Sequence, residues 1–124
     1  VSNKLNGIGG NDVLDGAKGN DILTGGAGGD QFRVGEIGYD DEIVDFTSGL
    51  DKIFLAEIDA NSGIAGNQAF TFIGNNAFSG VAGQLRTYSQ DGDNFVAGDV
   101  NGDGLADFTI NVNNANVVVT DFFL

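Results

Sequence analysis

The stretch that decides the fold is a run of three nine-residue units: GIGGNDVLD at residues 7–15, GAKGNDILT at 16–24 and GGAGGDQFR at 25–33. A degenerate half-repeat, VSNKLN, precedes them in the same frame. The frame repeats an aspartate and, two positions later, an apolar residue. The aspartates are Asp12, Asp21 and Asp30, and the apolar residues, with one from the half-repeat, are Leu5, Leu14, Leu23 and Phe32. A fixed short period predicts a solenoid, in which each unit buries its apolar residue by stacking on its neighbours.

The pattern G-G-x-G-x-D-x-U-x, in which U is apolar, resembles the calcium-binding repeat of RTX proteins. Glycines let the backbone adopt positive φ and turn its carbonyls inward, and carbonyl and carboxylate oxygens are the ligands that Ca²⁺ prefers. Two units then make one coil, so that turns on the same side are 18 residues apart. Leu14 is expected to stack on Phe32, and Leu5 on Leu23.

The candidate ligands follow from this arrangement. Asp12 and Asp30 are expected to face one row of ions, while Asn3 and Asp21 face the other. Either Asp40 or Asp41 is expected to close the site that Asp21 begins. Backbone carbonyls are expected from the turn positions Gly7, Gly9, Asn11, Gly16, Lys18, Asn20, Gly25 and Ala27. A flexible Gly-rich linker is the alternative, but a linker would not keep glycine, aspartate and leucine in fixed columns.

The composition favours a metal-binding role. The 124 residues include 18 acidic and 5 basic ones, no histidine and no cysteine, for a net charge of −13. Nucleic acid and anionic membranes are poor partners for such a surface. Because the chain has no cysteine for disulfides, a bound metal is expected to stabilise the fold instead. The usual nucleophile–base pairs and zinc sites need His or Cys, so we expect no catalysis by this chain. No apolar run is long enough to insert in a membrane. The chain lacks a signal peptide and begins inside a repeat, so we expect it to be the C-terminal part of a longer protein.

After the repeats, the sequence is typical of short strands separated by Gly, Asn and Asp. Residues 41–46 and 51–55 are predicted strands joined by the turn TSGL, and residues 117–120 are predicted to form a final strand. Asp91-Gly92 favours a type I′ hairpin turn. The prediction is an all-β protein: a short parallel β-roll over residues 1–40, followed by a small antiparallel sheet or sandwich over 41–124.

A second metal signal is DVNGDGLAD at residues 99–107. Its candidate ligands are Asp99, Asn101, Asp103, the carbonyl of Leu105, and Asp107, spaced as in an EF-hand loop. Ile110 stands where an EF-hand has its bidentate Glu, and no helices flank the loop. A polar turn without an ion is the alternative, and the sequence does not decide between them.

The order of motifs also resembles the C-terminal domain of the serralysin family of secreted bacterial metalloproteases. The motifs are the nonapeptides, DEIVDFTSGLDKI, FTFIG, FSGVAGQLR, GDVNGDGLADFTI and the terminal DFFL. This resemblance implies several Ca²⁺ ions in a β-roll, with Asp41 as a ligand beside the last repeat. It also implies an uncleaved signal for a type I (ABC) exporter at Asp121, Phe122, Phe123 and Leu124.

The resemblance is incomplete, because the three histidines of that family's zinc motif are absent and only three nonapeptides are well formed. Any protease activity would lie in an upstream cargo domain. We therefore predict a secreted, monomeric calcium-binding module that folds on Ca²⁺ after export. The tail of a serralysin-like protease and a carbohydrate- or surface-binding module of a secreted enzyme are the alternatives. The second alternative needs exposed aromatic or basic residues. It ranks lower because only Tyr39 and Tyr88 are free aromatic candidates and only Arg33, Arg86 and three lysines are basic.

Overall fold

The computed structural model describes residues 2–113 and 115–124, which form strands and one short 3₁₀ turn but no α-helix. None of these residues belongs to a helix long and apolar enough to cross a membrane. The strands are β1 Lys4–Asn6, β2 Val13–Asp15, β3 Ile22–Thr24, β4 Gln31–Arg33, β5 Asp40–Ile43, β6 Lys52–Phe54, β7 Thr71–Phe72, β8 Gln84–Gln90, β9 Asp93–Asp99, β10 Phe108–Val112 and β11 Phe122–Phe123.

Successive short strands alternate between two sheets. β1, β3 and β5 pair in parallel in one sheet, while β2, β4 and β6 pair in parallel in the other. Leu5 is in register with Leu23, and Leu14 with Phe32, which confirms the predicted stacking. Each middle residue points inward because side chains alternate along a strand. The result is the predicted all-β fold with a parallel β-roll.

The roll does not stop at residue 40. β5 and β6 add a further coil, placing Ile43 beside Leu23 and Ile53 beside Phe32. The apolar position of the repeat therefore stays in register after the nonapeptide spacing has ended.

The antiparallel part of the chain continues the first sheet. Its strand order is β1-β3-β5-β10-β9-β8-β7, in which β10 is parallel to β5 and antiparallel to β9. The predicted hairpin joins β8 to β9, and its turn residues Asp91 and Gly92 have φ of 54° and 85°, as a type I′ turn requires. The predicted antiparallel strands are thus an extension of the roll rather than a separate layer.

The end of the chain differs from the prediction of a strand at residues 117–120. Val119–Asp121 is a 3₁₀ turn, and the strand is β11, which pairs in parallel with β6. The turn forms because the Asp121 carboxylate accepts the backbone N–H of Val118, which bends the chain. Phe122 then continues the apolar column beside Ile53.

A single core runs through both parts of the molecule. Phe32, Ile43 and Ile53 from the roll are fully buried, as are Leu85 and Ile110 from the antiparallel strands. Burying side chains of this size stabilises the fold by about 1.5–3 kcal/mol each. The turns at the edges of the roll are consequently held in fixed positions relative to one another.

Candidate metal sites

Two columns of carboxylates run along the turns of the roll. The Asp21 carboxylate accepts the backbone N–H of Asn3 at 2.7 Å, and the Asp41 carboxylate accepts that of Asp21 at 2.9 Å. On the other side, the Asp30 carboxylate accepts the N–H of Asp12 at 2.9 Å. Each aspartate therefore uses one oxygen to bind the coil before it.

The second oxygen of each repeat aspartate has no such donor. Oδ2 of Asp12, of Asp21 and of Asp30 is buried without a hydrogen-bond partner among the described residues. Asp21 and Asp30 are only 1% and 2% exposed. Burying a carboxylate oxygen without a partner is unfavourable, so these three oxygens fit a cation that they would share with the turn.

The first glycine of each unit makes room for that oxygen. A Cβ built on Gly7, Gly16 or Gly25 would overlap the carboxylate of Asp12, Asp21 or Asp30, respectively. A Cβ on Gly7 would also lie 2.7 Å from the carbonyl oxygen of Gly25, one coil away. Carboxylate and carbonyl oxygens thus converge where a side chain would otherwise be, and this donor set suits Ca²⁺.

The remaining predicted turn ligands lie in these same turns. Gly9 and Ala27 form a parallel bridge, so the turns at residues 7–12 and 25–30 stack directly. The side chain of Asn11 accepts the N–H of Gly29 at 2.8 Å, and that of Asn20 accepts the N–H of Asp40 at 2.9 Å. These amides tie neighbouring coils together. The carbonyl roles of all eight turn residues stay predictions: Gly7, Gly9, Asn11, Gly16, Lys18, Asn20, Gly25 and Ala27.

Of the two acids proposed to close the site of Asp21, the structure brings Asp41 into the column. Asp40 lies outside it: its side chain is exposed and accepts the hydroxyl of Thr109 at 2.7 Å. Burial raises the pKa of Asp41 to about 6, an effect opposed by the N–H of Asp21 and increased by the charges of Asp21, Asp40 and Asp15. The proton on Asp41 therefore competes with a cation in weakly acidic solution.

Three further carboxylates that bind N–H groups of the turns were not predicted to lie in these columns. Asp51 follows Asp30 in its column, with 2.8 Å between the N–H nitrogen of Asp30 and Oδ1 of Asp51. Asp45 accepts the N–H groups of Gly25 and Gly26 at 2.9 and 2.7 Å. For Asp51 the signal was present, because Asp51-Lys52-Ile53 keeps the aspartate-x-apolar order of the repeat. The third, Asp121, was predicted only as part of an export signal.

The loop at residues 99–107 connects β9 to β10. Carboxylate oxygens of Asp99, Asp103 and Asp107 lie within 4.8 Å of one another. Asp99 is buried and accepts the N–H groups of Gly102 and Gly104 at 2.8 and 2.9 Å. Asn101 caps the N–H of Asp103, and Leu105 is exposed. The acidic group is thus positioned to hold an ion, in a loop that its own hydrogen bonds already order.

The four C-terminal residues have different environments. Asp121 and Phe122 are buried, Leu124 is half-buried, and Phe123 is 48% exposed. Phe122 packs against Phe72, and Phe123 against Phe54 on the outer face of the sheet. Phe123 is therefore the most accessible apolar side chain of this segment.

Comparison with known proteins agrees with the geometry of the first coils. The RTX calcium-binding nonapeptide repeat (4 copies) matches residues 2–36. Residues 2–36 therefore carry RTX repeats, which bind Ca²⁺. No curated protein matches it. Among solved structures, the AlgE6R3 subunit of the Azotobacter vinelandii mannuronan C5-epimerase aligns with 98% of this chain and 77% of its own, at 18% identity and a TM-score of 0.42.

Proposed function

We propose that this chain is a calcium-binding RTX module that folds when Ca²⁺ becomes available after export, and that it carries a type I secretion signal at its C-terminus. The observation that supports the calcium-dependent fold is the set of three buried, unpartnered carboxylate oxygens of Asp12, Asp21 and Asp30. The cargo domain lies upstream in the same protein, and a zinc-protease motif found there would identify it as serralysin-like.

The charge distribution makes folding depend on the cation. The chain carries a net charge of −13, and folding stacks carboxylates of successive coils in two columns. Their repulsion opposes the stacking, and the chain has no cysteine to oppose it with a disulfide. Bound calcium supplies the positive charge that compensates these carboxylates, so that binding free energy becomes folding free energy.

This coupling would suit export. Where free calcium is scarce, the repeats stay extended and can pass through a narrow channel, with residues 121–124 free to be read by the ABC exporter. Where calcium is abundant, coils order one upon another as in other one-dimensional repeats. The folded module is secreted, monomeric and engages neither nucleic acid nor a membrane in this proposal.

Circular dichroism tests the central step. We expect a weak β signal in chelator and a strong one in millimolar Ca²⁺, with Mg²⁺ much less effective because it requires a tighter octahedral site. An equally strong β signal in chelator and in Ca²⁺ would contradict the proposal.

A further inference from the structure

The turn at residues 47–51 differs from the repeat turns in how its carboxylate is used. Asp51 continues the column of Asp12 and Asp30, and its Oδ1 accepts the N–H of Asp30. Its Oδ2, however, accepts the N–H of Thr47 from its own turn at 2.7 Å. The oxygen that is unpartnered in Asp12, Asp21 and Asp30 is therefore already bonded in Asp51.

A second carboxylate enters this turn from a distant part of the chain. Asp121 is fully buried; its Oδ1 accepts the N–H of Gly49 at 2.9 Å, and its Oδ2 accepts the hydroxyl of Ser48 at 2.6 Å. Burial by itself would raise the pKa of Asp121, but hydrogen bonds from Ser48, Val118 and Gly49, with the charge of Lys52, hold it below the usual value. Asp121 is thus held as an anion.

Three donors of this turn present the positive ends of their dipoles to these carboxylates: the N–H groups of Thr47 and Gly49 and the hydroxyl of Ser48. Backbone N–H groups that converge in a turn form a concavity that favours an anion. A cation placed there would meet the N–H groups of Thr47 and Gly49 and the hydroxyl of Ser48. The repeat turns offer a different environment, in which Oδ2 of Asp12, Asp21 and Asp30 lacks a donor among the described residues.

We propose that the turn at residues 47–51, here called the closed turn, is held by the carboxylates of Asp51 and Asp121 and takes no calcium ion. The proposal deepens the proposed function and rests on it: the calcium-dependent coils stack against an end whose closure needs no ion. Asp121 is then a positioning residue for the closed turn, whatever part it has in export.

The dependence of Tm on calcium concentration distinguishes the two kinds of aspartate. The slope of Tm against the logarithm of calcium concentration reports the number of ions whose binding is linked to folding. We expect Asp121→Asn and Asp51→Asn to lower Tm by about 5–10 °C at every calcium concentration and to leave the slope unchanged, because they leave buried donors without acceptors. Asp30→Asn, the matched control in the same column, should reduce the slope.

Ser48→Ala is the milder variant, to be used if Asp121→Asn does not fold. It removes one donor to Asp121, so we expect Tm to fall by about 2–5 °C with the slope again unchanged. A count of bound ions by native mass spectrometry should match that of the wild type for this variant and fall only for Asp30→Asn.

A reduced slope or a lost ion in Asp51→Asn or Asp121→Asn would overturn the proposal, as would an unchanged Tm in these variants. Failure of the proposed function has a different signature, because the Tm of the wild-type protein would then not respond to calcium at all.

Discussion

At the scale of single residues, the hydrogen bonding of one carboxylate oxygen distinguishes an aspartate proposed to bind a cation from one proposed not to. Asp21 and Asp51 are almost equally buried, at 1% and 2% exposure, and both bind the preceding coil through one oxygen. They differ only at the second oxygen, which is unpartnered in Asp21 and bonded to Thr47 in Asp51. Within the columns of the roll, burial alone therefore does not distinguish these two aspartates, and the donors to both oxygens must be counted.

The first glycine of a repeat is predicted to be irreplaceable for a steric reason. In Gly16→Ala the new Cβ would overlap the Asp21 carboxylate, so we expect a loss of roughly 1–3 kcal/mol in the free energy of unfolding at saturating calcium. Gly9→Ala is the matched control, because a Cβ there has nothing within 4 Å and the φ of Gly9 is not positive. Urea denaturation measures both, and equal stabilities would contradict the prediction.

The raised pKa of Asp41 predicts that the stability of the calcium-free protein depends on pH. Its pKa rises from 3.8 to about 6 on folding, so its contribution favours the fold below pH 3.8 and is lost as the pH rises through about 6. In chelator we therefore expect the β signal to grow on acidification from about pH 6.5 to 4.5. Asp41→Asn should flatten this response in the same titration, and an unaltered response would show that other acids cause it.

At the scale of elements, the repeat spacing predicted the strands wherever the period held. The columns of Leu5, Leu14, Leu23 and Phe32 formed as expected, because a nine-residue period leaves each apolar side chain one way to face inward. The terminal strand was misplaced because Val118 and Val119 have high β propensity but are exposed, whereas Asp121 bends the backbone. Asp121 lies more than sixty positions from the turn that it closes, and no local pattern could reveal that contact.

The loop at residues 99–107 is predicted to be ordered before it binds an ion. Asp99 and Asp107 already accept backbone N–H groups, whereas Asp103 is exposed and accepts only that of Leu105. We expect Asp103→Ala to lower the affinity for one calcium ion about tenfold or more, because it removes a charged ligand. The strands should remain folded. Calorimetric titration would show the lower affinity, with Asp93→Ala at the start of β9 as the control for lost charge. Identical titrations of the two variants would argue against an ion in the loop.

At the scale of the whole molecule, the proposed export signal is also part of the folded structure. β11 pairs with β6, Phe122 packs in the core and Asp121 enters the closed turn. Folding therefore removes most of this segment from contact with any partner. Recognition by an exporter would have to precede calcium binding.

Phe123 allows the two roles to be separated. Because it is 48% exposed, Phe123→Ser should barely alter the calcium-induced β signal while strongly reducing secretion by a type I exporter. Phe122→Ser should also destabilise the fold, by roughly 3–5 kcal/mol, because a buried aromatic ring is lost. Secretion assays of both variants, beside their refolding in vitro, measure the difference. Normal secretion of Phe123→Ser would place the signal elsewhere in the tail.

The hydrogen bonds that aspartate carboxylates accept from the preceding coil also show how the coils differ in length. They join residues 18 apart in the first coils, then 20 apart between Asp21 and Asp41 and 21 apart between Asp30 and Asp51. Extra residues are accommodated in the turns while the hydrogen bond is kept. Coil length thus varies within this one roll, and the match to the nonapeptide repeat ends at residue 36 although a further coil follows. Counting coils by sequence period alone will therefore underestimate the length of rolls of this kind.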